Sequence, residues 1–596
     1  MTTTYGVQIE TPIQNITHLH PKFEETVERA KALFLGGWCV VLGCSGKDSG
    51  AASVCIVEGL LRASTINPSH GGKLHVVTTN TTLDNMVLHD YMMQLHEDMR
   101  HYGQENNLPI FTHELKPSLS RSPMVEYIGK GKLLRTAANT NGGRTCAVDW
   151  KILPHKRFLA QLKKQYKTTK VVSISGSRES ESVARSKSLK SRSESSVEMV
   201  VTELGWTQPI IKDWSLNDVW QLFKVIDDGD IESYSDRFDR MKKHYAAGNG
   251  GVCDLFAGDT KSKNASKSCG SRFGCTLCAV NGDKDSSLEA QIDTDPKTYG
   301  FMKPLNDLRE FMLNSLYDYD NRSIEGRTMK DGFIKVGINH YSIEYRMNLL
   351  RYVLSIQVDS LNKHGYHAID LIDYEQLLAI QYYWSREGEP EPGTALKIWH
   401  EVVTTGERYY PIPTIEKVEK DKAPATRYFD LKTLLDDENP IGLDDDGLND
   451  QFKDAKAHYT RNGQDQQVIR YSENQLFSVV TKDGLAMDFV EDYYPMLIEE
   501  GHLLNKCSSV MLKHMLEAGV VQITKGSIAK LHEDTKRCQA LNILQWSNKK
   551  PTADAIRGNS VDKKAMMAIV HSRTQDVIEP IAMSIEPLTN QFTLAL

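Results

Sequence analysis

The feature of this 596-residue chain that most constrains its fold is the stretch Trp-Cys-Val-Val-Leu-Gly-Cys-Ser-Gly-Lys-Asp-Ser-Gly at residues 38–50. An apolar, β-branched run predicts a strand, the small residues after it predict a tight turn, and residues 51–61 are compatible with a helix. A strand, turn and helix in this order present unpaired backbone N–H groups and the positive end of a helix dipole at one point. The stretch therefore predicts a phosphate-binding loop, with an ordinary turn as the alternative. The Walker pattern G-x-x-x-x-G-K-[ST] cannot be fitted to it.

Further strand-like segments follow, with helix-length segments between them. Strands are predicted at residues 74–79, 109–112 and 171–175, and helices at residues 23–34 and 86–106. This alternation predicts an α/β fold with a doubly wound, mainly parallel sheet. Ligands of such sheets bind at the carboxyl ends of the strands, where Cys44 and Gly176 would lie.

The rest of the chain is less regular. A capping box at Ser215 and Asp218 predicts a helix start, residues 300–385 show helical periodicity, and residues 430–450 are rich in acidic side chains. Residues 509–541 are compatible with a helix-turn-helix, although small helical bundles have the same pattern. The predicted domains are a domain built on the predicted phosphate-binding loop (1–235), a cysteine-cluster segment packed on it (236–300), a helical region (301–415), an acidic linker (416–455) and a small helical C-terminal domain (456–596).

Three cysteines are spaced as metal ligands. Cys269, Cys275 and Cys278 lie on a glycine-containing loop, on which two thiolates three residues apart can turn toward one centre. A fourth ligand would be Cys146 or Cys253, and the spacing does not separate structural zinc from an iron–sulfur cluster. Two other cysteines, Cys39 and Cys55, stand in apolar segments and are predicted to be buried.

A polar motif follows the fourth strand. It reads Gly176-x-Arg178-x-x-Glu181-Ser182-x-x-Arg185, and guanidinium forks suit phosphate oxygens. Because Arg178 and Arg185 are seven residues apart, two helical turns would align them on one face. Basic residues continue beyond the motif and recur before the cysteines, and they predict local phosphate contacts, with a solvated flexible loop as the alternative for the residues past 186. They are Lys187, Lys190, Arg192, Arg240, Lys242, Lys243, Lys261, Lys263 and Lys267.

Composition excludes several classes of protein. Hydrophobic residues make up 40% and charged residues 25%, as in soluble globular proteins. No run of 18 uncharged apolar residues occurs, and residues 1–5 lack the pattern of a signal peptide, so we expect a cytoplasmic protein without a membrane span. A net charge of −7 means that nucleic acid would be bound by local patches.

In this order, the motifs resemble those of a known family. The loop at residues 44–49 is similar to the Ser-Gly-Gly-x-Asp-Ser of the adenine-nucleotide α-hydrolase (PP-loop) superfamily. Arg144-Thr-Cys146, the motif at residues 176–185 and Pro-Ile…Trp-Ser-x-x-Asp at residues 209–218 resemble the phosphoadenosine phosphosulfate (PAPS) reductase-like group. Ser-Arg-Phe-Gly-Cys-x-x-Cys, ending at Cys278, looks like the DNA phosphorothioation ATPase/sulfurtransferase subfamily, of the DndC or SspD kind. The resemblance covers about residues 35–350.

The resemblance implies a HUP-like fold that splits ATP between its α and β phosphates, with Mg²⁺. It implies nucleotide contacts at Cys44, Ser45, Gly46, Lys47, Asp48, Ser49, Gly176 and Ser182. It implies catalytic roles for Lys47, Asp48, Arg178, Glu181 and Arg185. It also implies a 4Fe–4S cluster on Cys146, Cys269, Cys275 and Cys278. Two departures stand out: Cys44-Ser45 replaces Ser-Gly, and Asn80-Thr81 replaces an Asp-Thr near the adenosine.

The function expected from this resemblance is ATP-dependent sulfur transfer in DNA backbone phosphorothioation, within a modification-based defence system. Its partners would be DNA, a cysteine desulfurase as sulfur donor, and other phosphorothioation subunits, with sulfur relayed through the cluster. A sulfonucleotide reductase is an alternative, although the last cysteine is Cys538 and no Glu-Cys-Gly-Leu-His segment follows it. A tRNA thiolation enzyme is another. An alternative from a different class of protein is a non-catalytic regulatory subunit that binds a nucleotide. The departures at Cys44 and Asn80 keep this alternative open.

Overall fold

The computed structural model of the protein describes most of the chain. The described residues are 16–139, 145–249, 273–280, 282–330, 333–364, 369–420, 426–430, 460–461, 464–465, 477–479, 484–523, 530–532, 534–536, 538 and 560–584. Among the predicted site residues, Cys269 lies outside these ranges, as does its possible substitute Cys253. The basic residues Lys261, Lys263 and Lys267 also lie outside them.

A six-stranded sheet in the order β3-β2-β1-β4-β6-β5 organises the first part of the chain. All its pairs are parallel except the edge pair β5–β6. The strands are β1 (Cys39–Gly43), β2 (Lys73–Thr79), β3 (Ile110–Leu115), β4 (Val171–Ile174), β5 (Val200–Thr202) and β6 (Gly205–Gln208). The predicted α/β fold with a mainly parallel sheet is confirmed, and so are the four predicted strands. The sequence analysis did not predict the short strands β5 and β6.

Helices follow most of these strands, as the alternation predicts. They are α1 (Ile16–Leu35), α2 (Lys47–Ile66), α3 (Met86–Glu105), α4 (Thr145–Ala147), α5 (Leu153–Gln165), α6 (Val183–Ser191), α7 (Leu216–Asp227), α8 (Phe238–Ala247), α9 (Ser286–Thr294), α10 (Pro296–Tyr299), α11 (Lys303–Asn314), α12 (Ile343–His364), α13 (Tyr374–Glu387) and α14 (Thr394–Trp399). The predicted capping box at the start of α7 is confirmed, because the Ser215 hydroxyl accepts from the Asp218 N–H and the Asp218 carboxylate accepts from the Ser215 N–H.

Helices cover both faces of the sheet. Val40 and Leu42 of β1 point into a core shared with α1, α2, α3, α7 and α8. Val41, between them in sequence, points to the opposite face, where it packs with Phe158 and Leu162 of α5. Alternate residues of a strand face opposite ways, so a strand buried on both faces needs the continuous apolar run that β1 has.

The strand order reverses between β1 and β4. From β1 the chain continues outward to β2 and β3, and it then returns to place β4 on the other side of β1. The carboxyl ends of two strands at such a reversal form a crevice in which ligands of parallel sheets bind. This topology brings the loop after β1 next to the segment after β4.

The helical prediction for residues 300–385 is wrong for one segment. Residues Arg322–Lys330 (β7) and Phe333–Tyr341 (β8) form an antiparallel hairpin, and Arg427–Asp430 (β9), inside the predicted acidic linker, pairs with β8. The sequence contains a signal for this hairpin, since Phe-Ile-Lys-Val-Gly-Ile alternates and follows an Asp-Gly dipeptide.

The described parts of the C-terminal region join the core around α12 and α13. Phe489, Tyr494 and Met511 pack in the same cluster as Leu350 of α12 and Trp384 of α13. The described elements here are helices Leu485–Asp488, Tyr494–Glu499, Val510–Glu517 and Lys563–Ser584, and strands β10 (Thr460–Arg461), β11 (Gln464–Asp465), β12 (Phe477–Val479) and β13 (Val521–Ile523). The pairing of β13 with β12 places a strand where a helix-turn-helix would continue. The predicted domain boundaries stay a prediction.

Candidate functional site

The loop at residues 44–49, which we call the phosphate loop, connects the end of β1 to α2. The Ser49 hydroxyl organises it, accepting from the N–H groups of Ser45 at 2.8 Å and Gly46 at 3.1 Å and donating to the Gly46 carbonyl at 2.9 Å. Helix α2 begins at Lys47, four residues earlier than predicted, so Lys47, Asp48 and Ser49 form its first turn. The N–H groups of a first turn have no partner inside their helix, and the helix dipole is positive there.

Cys44 belongs to the core rather than to the anion-facing side of this loop. Its Sγ lies 3.9 Å from Met92 Sδ, and its N–H donates to the Val77 carbonyl at 2.8 Å. Its carbonyl accepts from the Thr78 hydroxyl at 2.6 Å. Burial raises the pKa of the Cys44 thiol to about 12. The Cys44 thiol is therefore packed in the core, although a hydrogen bond with the Ser49 side chain keeps it next to the loop.

Two charged residues of the loop meet an arginine from the neighbouring strand end. Asp48 Oδ1 accepts from Arg178 Nε at 2.8 Å, and Asp48 Oδ2 lies 3.5 Å from the Lys47 ammonium. Arg178 is 2% exposed and Lys47 8% exposed, so both cations are withdrawn from bulk water. Arg178 also donates to the Ser180 hydroxyl at 2.9 Å. The structure brings together Lys47, Asp48 and Arg178, all predicted site residues.

Gly176 allows the two strand ends to approach each other. A Cβ at this position would lie 2.5 Å from the Ser49 nitrogen and 2.6 Å from the Asp48 carbonyl carbon. Both of these neighbours are backbone atoms, which cannot move aside as a side chain can. The segment after β4 therefore rests directly on the first turn of α2.

The second half of the Gly-x-Arg motif departs from the helical alignment we expected. Arg178 is extended, with φ −115° and ψ 143°, and α6 begins only at Val183. Arg178 and Arg185 are therefore not on one helix face, and that expectation is wrong. Ser182 caps α6 by accepting from the Arg185 N–H at 3.2 Å, and Arg185 pairs with Glu181 at 3.0 Å. The side chain of Arg185 is 42% exposed.

Cys275 and Cys278 form a tight turn, here called the cysteine turn, that rests on the residues after β2. The Cys278 N–H donates to the Cys275 carbonyl at 2.8 Å, and Thr276 donates through its N–H to the Leu83 carbonyl at 2.6 Å. From the other side, the fully buried Arg309 donates to the Cys278 carbonyl at 2.7 Å. The turn is thus held at the carboxyl edge of the sheet, where the phosphate loop also lies.

The thiols of Cys146, Cys275 and Cys278 interact electrostatically. Burial first, and then the charge of Asp84, raise the pKa of Cys275 to about 12, with smaller contributions from Cys278 and Cys146 and an opposing one from Lys151. Asp84 pairs with Lys151 at 2.7 Å beside the turn. Cysteine thiolates are the type of ligand that zinc and iron–sulfur clusters use. Within the described residues, however, no three His, Cys, Asp or Glu side chains are grouped closely enough to hold a metal.

Two other predicted cysteines are placed as expected. Cys39 is 5% exposed and Cys55 is fully buried, which confirms that both belong to the core. Burial raises the pKa of the Cys39 thiol to about 11 and that of Cys55 well above its ordinary value. A thiol whose pKa lies so high is neutral at physiological pH and therefore a poor ligand or nucleophile.

Asn80, which stands where the resembling subfamily has a carboxylate, contacts a carboxylate on the next strand. Its Nδ2 donates to Glu114 Oε1 at 2.8 Å, and His89 Nε2 lies 2.9 Å from the same oxygen. The hydrogen bond with His89 helps to lower the pKa of Glu114 to about 2. Sequence analysis missed Glu114 and His89, because Glu114 reaches Asn80 only through the β2–β3 register and His89 reaches the same carboxylate only from α3.

Two cavities flank the turn at residues 80–85. One, of about 330 Å³, is lined by Thr81, Lys116, Ser120 and Asp373, and the other, of about 560 Å³, by Asp84, His89, Arg240 and Phe301. Asn80 and Thr82 line both cavities. A third cavity, of about 700 Å³, lies at the amino ends of β2 and β3, away from the phosphate loop. The two cavities beside the turn offer room for a ligand at the expected edge of the sheet.

Several of the predicted basic residues have carboxylate partners on the surface. Lys190 pairs with Glu179 at 2.7 Å, and Arg192 with Glu194 at 2.8 Å. Lys243 pairs with Asp239 at 2.8 Å, Lys242 with Asp227, and Arg240 donates to Gln94. Lys187, on α6, is exposed. These pairs reduce the positive potential that the sequence alone suggests.

Across the part of the chain that the structure describes, no helix combines the length and apolar character that crossing a bilayer requires.

No protein-family model matches the chain, and no curated protein matches it. The functional interpretation therefore depends on the geometry of the phosphate loop and the cysteine turn, together with the motifs from which they are built.

Proposed function

We propose that this protein is an ATP pyrophosphatase that drives sulfur transfer in DNA backbone phosphorothioation. The observation that supports it best is the junction of β1, α2 and β4: a helix N-terminus, the buried Lys47, and the Asp48–Arg178 pair against which Gly176 is packed. Such a junction at a strand-order reversal suits the phosphates of a nucleotide.

The chain's own groups would stabilise the departing pyrophosphate. Negative charge grows on the β and γ phosphates as the bond to the α phosphate breaks, and Lys47 and the α2 dipole would stabilise that charge if the phosphates bind in the loop. Both are partly shielded from water, which strengthens their attraction for an anion. Asp48, held in place by Arg178, would supply one carboxylate to Mg²⁺, which usually takes one or two carboxylates together with substrate phosphates.

In the reaction that we propose, a non-bridging oxygen of a DNA backbone phosphate attacks the α phosphorus of ATP, and pyrophosphate leaves. A sulfur atom at the oxidation level of sulfide then displaces AMP, which carries that oxygen away. Sulfur from a cysteine desulfurase arrives as a persulfide, so a thiol reductant must supply two electrons. DNA as the substrate follows from the family resemblance, and tRNA thiolation is its nearest alternative.

Cys146, Cys269, Cys275 and Cys278 would hold the proposed 4Fe–4S cluster. When bound, such a cluster would supply a site for sulfur relay. The protein itself positions the cysteines, because hydrogen bonds to Arg309 and to the Leu83 carbonyl hold the cysteine turn beside the residues that follow β2. The same edge of the sheet carries the phosphate loop.

The position of ATP cleavage provides the first test. Incubated with ATP, Mg²⁺ and DNA, the protein should release AMP and pyrophosphate, and Asp48→Ala should abolish release. Asp228→Ala is the matched control, because Asp228 is an exposed carboxylate at the end of α7 that pairs with Lys224. Release of ADP and phosphate would contradict the proposal. ATP binding without turnover would favour the regulatory-subunit alternative.

The nature of the substrate needs a genetic test. The gene is deleted, genomic DNA is digested, and phosphorothioate-linked dinucleotides are measured by mass spectrometry. They should disappear and return when the gene is restored. If they persist while thiolated tRNA nucleosides are lost, the tRNA alternative replaces the DNA assignment.

A further inference from the structure

Tyr245, on α8, contacts the phosphate loop although sequence analysis did not connect the two. Its hydroxyl lies 3.4 Å from the Lys47 nitrogen, and its ring centroid lies 4.7 Å from the Lys47 ammonium. A Cβ on Gly46 would lie 2.8 Å from the same hydroxyl. Tyr245 therefore contacts Lys47 from a position 198 residues further along the chain, and it leaves no room for a side chain at Gly46.

The group that Tyr245 contacts is one that an anion needs. The Lys47 N–H belongs to the first turn of α2, where backbone donors have no partner inside their helix. In the structure this N–H donates to the tyrosine hydroxyl oxygen, which stands where a phosphate oxygen would accept. One N–H has a single hydrogen, so a phosphate oxygen and the hydroxyl compete for it.

Packing on the far side fixes where the hydroxyl lies. The Tyr245 ring meets Trp220 edge-on at 5.7 Å and Phe273 at 5.0 Å. At 3.4 Å from the Lys47 nitrogen, the hydroxyl makes only a weak hydrogen bond. A charged phosphate oxygen accepts a stronger hydrogen bond than a neutral hydroxyl does, so it can displace the hydroxyl from the Lys47 N–H.

We propose that Tyr245 is a positioning residue that occupies the Lys47 N–H while the loop is empty and yields it to pyrophosphate. It thereby weakens the binding of pyrophosphate and favours the release of this product. The inference rests on the proposed function, because it requires the loop to bind phosphates.

Calorimetric titration of the full chain with pyrophosphate and Mg²⁺ tests this inference. Tyr245→Phe removes only the competing hydroxyl, so it should bind pyrophosphate about threefold to tenfold more tightly, the range expected for one weak neutral hydrogen bond. Tyr234→Phe is the control, since Tyr234 is another buried tyrosine of the same core, and its hydroxyl contacts Ser53 at 2.7 Å instead of the loop. It should bind as the unaltered protein does. Tyr245→Met, which also lacks the hydroxyl, should shift the affinity in the same direction.

A gain in affinity separates this role from a merely structural one, since loosening the loop would weaken binding. If the unaltered protein binds pyrophosphate and both Tyr245 variants bind it equally or less well, the inference is wrong and the proposed function stands. If the unaltered protein and all three variants fail to bind, the phosphate-loop assignment itself is overturned.

Discussion

The Nε atom of Arg178 lies 2.8 Å from Oδ1 of Asp48, and this ion pair joins the end of β4 to the first turn of α2. The Arg178 side chain is 3% exposed and that of Asp48 19% exposed. Arg178 thus holds a carboxylate beside the phosphate loop instead of presenting a free guanidinium fork. This contact positions Asp48.

Removing Arg178 should cost stability as well as turnover. Arg178→Ala removes the main ion-pair partner of Asp48, a carboxylate that is largely buried. Breaking a buried ion pair in this way lowers the free energy of unfolding by about 3 kcal/mol. Urea denaturation should show this loss, and AMP release should fall with it. Arg185→Ala, which removes an exposed arginine paired at 3.0 Å with Glu181 just before α6, should change the free energy of unfolding by less than about 1 kcal/mol. Equal effects of the two substitutions would contradict the role of Arg178.

A methyl group at Gly176 should disrupt the phosphate loop. In Gly176→Ala the new Cβ would lie 2.5 Å from the Ser49 nitrogen, so the strand end and the helix must separate. Overpacking of this kind costs about 1–3 kcal/mol, and we expect nucleotide binding to be lost. Calorimetric titration with ATP measures the binding. Gly43→Ala, where a Cβ would meet nothing within 4 Å, is the control and should bind normally.

The cysteine turn should bind iron rather than zinc. Protein purified without oxygen should be brown and should contain iron in elemental analysis, as thiolate-bound clusters do. Cys275→Ser should lose both the colour and the iron, whereas Cys507→Ser, a half-buried cysteine distant in sequence, should keep them. Colourless protein with stoichiometric zinc would eliminate the sulfur relay from the proposed function.

Acid should destabilise the sheet through buried histidines. His75 lies 2.9 Å from His113 Nε2 and 3.2 Å from the Tyr166 hydroxyl, and burial together with the charges of His113 and Lys73 lowers its pKa to about 4. His155, beside Ser173 at 2.9 Å, likewise has its pKa lowered by burial to about 4.

Because the unfolded histidine has a pKa of about 6.5, the folded state holds fewer protons than the unfolded state between pH of about 4 and 6.5. The free energy of unfolding should therefore fall as the pH falls through this window, by up to about 1.4 kcal/mol per pH unit for each such histidine. Urea denaturation across this range measures the slope. His75→Gln should make the slope shallower.

Binding of DNA should depend more on Lys187 than on Lys190. Lys190 is already paired with Glu179 at 2.7 Å, whereas Lys187 is exposed on the same helix. Lys187→Glu should weaken DNA binding and flatten its salt dependence, since each neutralised phosphate releases counterions. Fluorescence anisotropy at several salt concentrations measures both, and ATP binding should be unaffected. An equal loss with Lys224→Glu, whose partner is Asp228, would mean that the effect is one of net charge only.

The sequence by itself determined the local elements of this protein. The apolar run before Cys44, the small residues after it and the later strand patterns predicted β1 to β4 and their α/β arrangement. The sequence also predicted both residues of the capping box, Ser215 and Asp218, correctly. These features follow from the pattern of neighbouring residues, because periodicity and caps act within a few positions along the chain.

Only the tertiary structure decided which side chains share a site. Arg178 looked like a phosphate ligand, but its contact with Asp48 depends on β4 lying beside β1. Cys44 looked like part of the loop, but its thiol lies against Met92 in the core. Tyr245 carried no sequence signal at all. Contacts of this kind join residues far apart in the chain, and burial and charge balance select them only once the whole sheet has formed.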